Sequence, residues 1–124
     1  MTSTGSETCP FCKRIEAGEY DDELSLNNVA VFEPLNPVTP GHLLAVPHRH
    51  VQDAVQEPHV TAYVMEHAAR LIGNFGISAN IITSVGAAAS QTVHHLHAHI
   101  VPRREGDGLH LPWTGQKPVA GDPR

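Results

Sequence analysis

Three histidines spaced by two stand in the run Gln91-Thr92-Val93-His94-His95-Leu96-His97-Ala98-His99-Ile100-Val101-Pro102. In an extended chain, side chains alternate faces, with about 7 Å between every second residue. His95, His97 and His99 then share one face, and Leu96, Ala98 and Ile100 share the other. The pattern predicts a strand over 93–101, stopped by Pro102, with an imidazole row backed by an apolar core face. Such a row suits two kinds of chemistry. It can ligate a metal ion, or it can supply a nucleophile flanked by imidazole partners.

The rest of the chain supplies an antiparallel sheet for that strand to join. Runs at Val29–Phe32, Leu43–Val46 and Ala79–Ser84 read as strands, with an edge strand around Leu24 and Leu26. Val60, Tyr63, Val64, His67, Ala68, Leu71, Ile72 and Phe75 recur at helical spacing and predict one long amphipathic helix ending at Gly73 or Gly76. Thr8 caps a short helix with Pro10 in its first turn, running towards Gly18. The expected class is α+β: a five-stranded antiparallel sheet with two helices. Residues 8–113 form one domain between flexible termini, 1–7 and 114–124.

With 124 residues and a formal charge of −5, the chain has no overall attraction for nucleic-acid backbone. The polar start lacks an apolar leader core and no run is long enough to span a membrane, so a cytoplasmic protein without a membrane partner is expected. In that compartment Cys9-Pro10-Phe11-Cys12 has three readings: half a zinc site, free thiols or a redox pair. Pro40-Gly41-His42 is a turn delivering His42 to the start of a strand. Gly86–Ser90 is a loop of small residues that allows close backbone approach to a ligand. With Gln91 and Thr92 it forms a candidate phosphate cradle.

Taken together, His95-Leu96-His97-Ala98-His99-Ile100-Val101, Pro40-Gly41-His42, Gln91-Thr92-Val93 and Cys9-Pro10-Phe11-Cys12 resemble the histidine triad family of nucleotide hydrolases and transferases, and its zinc-bearing bacterial members in particular. The resemblance implies a homodimer with merged sheets and a purine nucleotide substrate. It implies His97 as the nucleophile at the α-phosphorus, His99 as the phosphate and leaving-group partner, and His42 beside the nucleophile. Gln91 and Thr92 match phosphate-binding positions. Cys9, Cys12, His50 and His95 match a structural zinc site, with His48 competing for the role of His50. Pro34 stands where many members bind ribose through Asp or Asn, which leaves Glu33 as the substitute. Ser84 stands where Asn is common. Leu24, Phe32 and Leu35 are candidates for the base pocket or for the core. Arg103 and Arg104 are candidates for a distal phosphate or for solvated surface. His94 is expected at the apolar side or the strand edge. Two rival readings are a nucleotide-binding regulatory protein with little catalysis and a zinc enzyme that uses the triad as ligands.

Overall fold

The computed structural model describes residues 8–113, so the expected flexible termini, 1–7 and 114–124, lie outside the described residues. Seven elements follow in order: helix α1 (Pro10–Glu16), strands β1 (Val29–Phe32) and β2 (Leu43–Pro47), helix α2 (Pro58–Phe75), strand β3 (Ala79–Ile82), a 3₁₀ turn (Ala87–Ala89) and strand β4 (Ala98–Pro102). The strands pair in the order β1-β2-β4-β3, every pair antiparallel. The class is α+β with two α-helices, as expected, but the sheet has four strands among the described residues. No helix among them is long and apolar enough to cross a membrane.

The expected fifth strand fails for a local reason. Residues 22–24 form a turn, capped by the Asp21 carboxylate accepting from the Leu24 N–H at 2.9 Å. The segment still lies along β1, through Asp21 N–H to Val31 O, Leu26 N–H to Val29 O and Val31 N–H to Ser25 Oγ. It blunts that edge without becoming a ladder.

Alternation along the strands sorts side chains into two layers. Val29, Val31, Ala45, Leu96, Ala98 and Ile100 pack with Val60, Val64, Ala68 and Leu71 of α2. Ala30, Phe32, Leu44 and Val46 face the other way, against Phe11, Ile15 and Tyr20. The α2 residues are those of the expected stripe, and Gly76 ends the helix at φ 66°, its N–H donating to the Ile72 carbonyl. At α1 the N-cap is Cys9 rather than Thr8, with the Cys12 N–H donating to Cys9 Sγ at 3.4 Å. Because α1 is short, it covers only part of its face of the sheet.

Candidate active site and metal centre

β4 begins at Ala98, so only His99 of the three histidines lies in a paired strand. The alternation persists before it. Leu96, Ala98 and Ile100 are buried in the α2 layer, whereas His99 stands opposite Leu44 of β2 on the α1 side. His94 is exposed, not on the apolar side, because the chain bends at 93–95.

Two groups of imidazoles result. The first joins His95 to Cys9, Cys12 and His50. His95 Nδ1 lies 3.4 Å from Cys9 Sγ, 3.5 Å from Cys12 Sγ and 3.2 Å from His50 Nδ1, and Cys12 Sγ lies 3.2 Å from His50 Nδ1. All four donor atoms fall within 4.8 Å of one another. Around tetrahedral zinc, Zn–S and Zn–N bond lengths set ligand separations of about 3.3–3.8 Å. His95 Nε2 donates to the Pro47 carbonyl at 2.8 Å. A carbonyl only accepts, so the His95 proton is on Nε2 and the lone pair of Nδ1 faces the thiols. Burial pushes the His95 imidazole down to about 4, so it stays unprotonated and able to ligate. The donor set and its spacing fit a structural zinc ion. Four protein donors would leave no open position for substrate, so the ion's part would be to cross-link the start of α1 to the segment after β2 and to the histidine segment. His48 stays out of the cluster; its N–H donates to Asn28 O and its ring lies by Tyr20.

The second group is His97, His99 and His42. His97 Nδ1 donates to the His95 carbonyl at 2.8 Å, which leaves the Nε2 lone pair free. His42 Nδ1 accepts from the Val38 N–H at 3.1 Å, so its proton sits on Nε2 and is donated to His99 Nδ1 at 3.0 Å. The remaining His99 proton is then on Nε2. Burial holds all three imidazoles below their ordinary value; His99 falls to about 4, with the neighbouring His97 and His42 adding to the effect. The result is one neutral ring offering a nitrogen lone pair beside another offering an N–H.

His97 and His99 open onto a cavity of about 450 Å³. Phe11, Phe32 and Leu35 form its apolar wall, and Asn36, Ser90 and Thr92 supply polar groups. A larger cavity of about 800 Å³ lies on the far side of Phe32 and includes neither His97 nor His99.

A HIT domain model matches residues 20–106, which is most of the chain. The chain belongs to the HIT family. An uncharacterised HIT-like protein of Methanocaldococcus jannaschii is 34% identical over 111 residues, covering 81% of this chain and 82% of that protein. An Arabidopsis thaliana protein named adenylylsulfatase is 32% identical over 119 residues, 87% of this chain but only 58% of its own length. Among solved structures, a zinc-bound histidine triad family protein of Mycobacterium smegmatis superposes with a TM-score of 0.66 at 34% identity, covering 86% of this chain and 82% of that one.

Within this HIT fold the expected site residues divide. His97, His99, His42 and Thr92 converge, as do the four zinc ligands. Gln91 does not face a phosphate. It is buried, its Oε1 accepts from the Gly86 N–H at 2.8 Å, and its Nε2 donates to Gln52 O at 2.8 Å and Val93 O at 3.1 Å. Every hydrogen of its amide is already used, so it builds the loop from within. Glu33 lines the larger cavity, because alternation past Phe32 turns it away from the triad. Ser84 is half-buried after β3 and outside the residues lining the triad cavity. Its neighbour Thr83 matters more locally, donating its hydroxyl to the His97 carbonyl at 2.8 Å. Phe32 and Leu35 reach the triad cavity, whereas Leu24 lines the larger one and packs on the core. Arg103 is taken up by Asp107, Asn80 and the Leu109 carbonyl, and Arg104 by Thr39 and the Pro40 carbonyl. Asn36 and Phe11 are site residues that sequence reasoning missed. The Asn36-Pro37 turn and the position of Phe11 between two metal ligands were the available signals.

Proposed function

We propose that this chain is a nucleotide hydrolase or nucleotidyl transferase acting at the α-phosphorus of purine nucleoside 5′-phosphate derivatives. The observation that carries the reading is the fixed proton on His97. The His95 carbonyl holds Nδ1–H, so Nε2 is a neutral nucleophile needing no strong base. Its lone pair forms a bond to phosphorus while the bond to the leaving group breaks. The imidazole gains positive charge in this step, and the hydrogen bond to the His95 carbonyl strengthens accordingly. His99 Nε2–H is the donor for the phosphoryl oxygens and the departing group. Water, or an acceptor nucleotide or phosphate, then attacks the nucleotidyl-His97 and displaces the imidazole. A relative named adenylylsulfatase supports an adenylyl group as the transferred unit. The apolar wall of Phe32 and Leu35 suits a planar base.

The test is capture of the intermediate. Adenosine 5′-phosphoramidate and adenylyl sulfate, labelled at the α-phosphorus, are mixed with protein and quenched in milliseconds. Acid-labile label on the chain and its absence in His97→Ala, with turnover reduced at least about ten-thousandfold, is the expected result. Wild-type turnover in His97→Ala would remove the mechanism. Binding of AMP with no turnover on any such substrate would make the chain a nucleotide-binding protein instead.

The same reading includes a cytoplasmic homodimer. The outer edge of β3 is unpaired among the described residues, and Ile77, Ile82 and Val85 beside it are exposed. An apolar open edge of this kind is a surface for pairing with a second copy. Ile82→Lys is expected to halve the mass measured by light scattering; an unchanged mass would place any interface elsewhere.

A further inference from the structure

The ring between the two cysteines touches the proposed nucleophile. Phe11 meets the His97 ring edge-on, with centroids 5.1 Å apart and planes at 78°. It meets His95 at 5.9 Å and Phe32 at 5.5 Å in the same manner. Its position leaves it little freedom. Cys9 and Cys12 bracket it, both are buried, and both converge on His50 and His95. An ion held by those thiols would fix the turn that carries the ring.

Two paths therefore run from the metal cluster to His97. One is covalent, through His95, whose Nδ1 belongs to the cluster and whose carbonyl holds His97 Nδ1–H. The other is steric, through Phe11. The carbonyl fixes one nitrogen of the His97 ring but leaves rotation about that hydrogen bond possible. The Phe11 ring packed against it at a steep angle restricts that rotation. Together the two contacts restrict the orientation of Nε2.

We propose that Phe11 is a positioning residue for the nucleophile, holding the His97 ring in its reactive orientation from a turn anchored by the metal clamp. The proposal rests on His97 being the nucleophile. It differs from a wall of the base pocket, which would act on substrate affinity alone.

The experiment compares wild type, Phe11→Leu and Phe11→Tyr as zinc-loaded protein. Three quantities are read: zinc per chain, the ¹⁵N–¹H long-range spectrum of the histidine rings, and kcat and KM separately on adenosine 5′-phosphoramidate. Phe11→Leu is expected to keep one zinc per chain. Its His97 signals should broaden or shift away from the single Nδ1–H form, and kcat should fall about three- to tenfold with KM little changed. Phe11→Tyr, which keeps the ring edge, should recover both the spectrum and kcat. An unchanged His97 spectrum in Phe11→Leu, including the case where KM alone rises, would overturn the proposal and leave Phe11 as a cavity wall. Loss of zinc from Phe11→Leu would overturn it too, since the ring would then be part of the clamp. A shifted His97 spectrum with unchanged kcat would overturn it as well, since the orientation that Phe11 fixes would not be one the reaction uses, while His97 as nucleophile stands or falls with the capture experiment on His97→Ala.

Discussion

His42 donates Nε2–H to His99 Nδ1 across 3.0 Å, and the Val38 N–H closes on the other nitrogen of His42. One main-chain N–H thereby sets the proton position on two successive imidazoles. Removing the middle member leaves His99 free to place its proton on either nitrogen. His42→Ala is expected to lower kcat about tenfold, with KM less affected. His42→Gln keeps an N–H of similar reach and should recover part of the loss. Equal kcat in His42→Ala and wild type, measured by steady-state turnover, would show that His99 needs no such fixing.

Burial also gives this pair a signature in acid. His99 titrates near 4 in the folded chain, and its unfolded value is near 6.5. Between these two values the unfolded chain binds the extra proton and the folded chain does not. Stability therefore falls as pH drops through that window and is unaffected by this group above it. His42, also lowered by burial, acts in the same direction. Urea midpoints between pH 7 and pH 4.5 should fall less steeply in His99→Asn than in wild type. Parallel slopes would mean that the acid sensitivity arises elsewhere.

Gln91 is expected to matter for stability before it matters for substrate. Its amide closes the small-residue loop on Gly86, Gln52 and Val93 from a buried position. Gln91→Ala strands a main-chain N–H and two carbonyls, at a cost of about 1–3 kcal/mol. A urea titration reads this directly. Wild-type stability in that variant would return Gln91 to a surface, ligand-facing role.

The contrast between Gln91 and the histidines shows what the sequence could disclose. The faces of His95, His97 and His99 were legible because alternation needs only an extended backbone. It survived although pairing starts at Ala98. The Cys9–Cys12 pair was legible as half a zinc site among three readings, and its completion by His50 and His95 followed from the family resemblance and not from spacing. His48 and His50 were not separable by alternation, since they share parity. The side-chain contacts decided between them: His50 Nδ1 meets Cys12 Sγ and His95 Nδ1, and the His48 ring lies by Tyr20. The fifth strand depended on Leu24 and Leu26: Leu24 packs on the core from a turn, and Leu26 is exposed. Gln91 misled because an amide before a histidine row serves a loop or a phosphate equally well.

The metal cluster should carry much of the fold around α1. Without an ion, burial and then the nearby Cys9 push the Cys12 thiol up to about 12. A bound cation reverses that preference by taking the thiolate, so binding releases protons and weakens as pH falls. Chelation at pH 7.5 is expected to lower the melting temperature by about 10 °C or more, and readdition of one equivalent of zinc should restore it. Cys12→Ser should melt low with or without zinc. A melting temperature indifferent to chelation, with metal loss verified by atomic absorption, would mean that packing alone holds α1.

Asn36 and Glu33 make opposite predictions about the sugar. Phe32 ends β1 on the α1 side, so Glu33 turns to the opposite side and lines the larger cavity. Pro34 and Asn36 come back to the triad cavity, and of these two only Asn36 offers a side-chain donor and acceptor. The Asn36 amide is therefore the group placed to bond a ribose hydroxyl. Asn36→Ala is expected to raise KM for a ribonucleoside 5′-phosphoramidate about tenfold. It should change KM for the 2′-deoxy analogue much less, so discrimination between the two sugars shrinks. Glu33→Gln should leave both values at wild type. If Glu33→Gln erased the discrimination and Asn36→Ala did not, the sugar would have to lie across Phe32, on the side of the larger cavity.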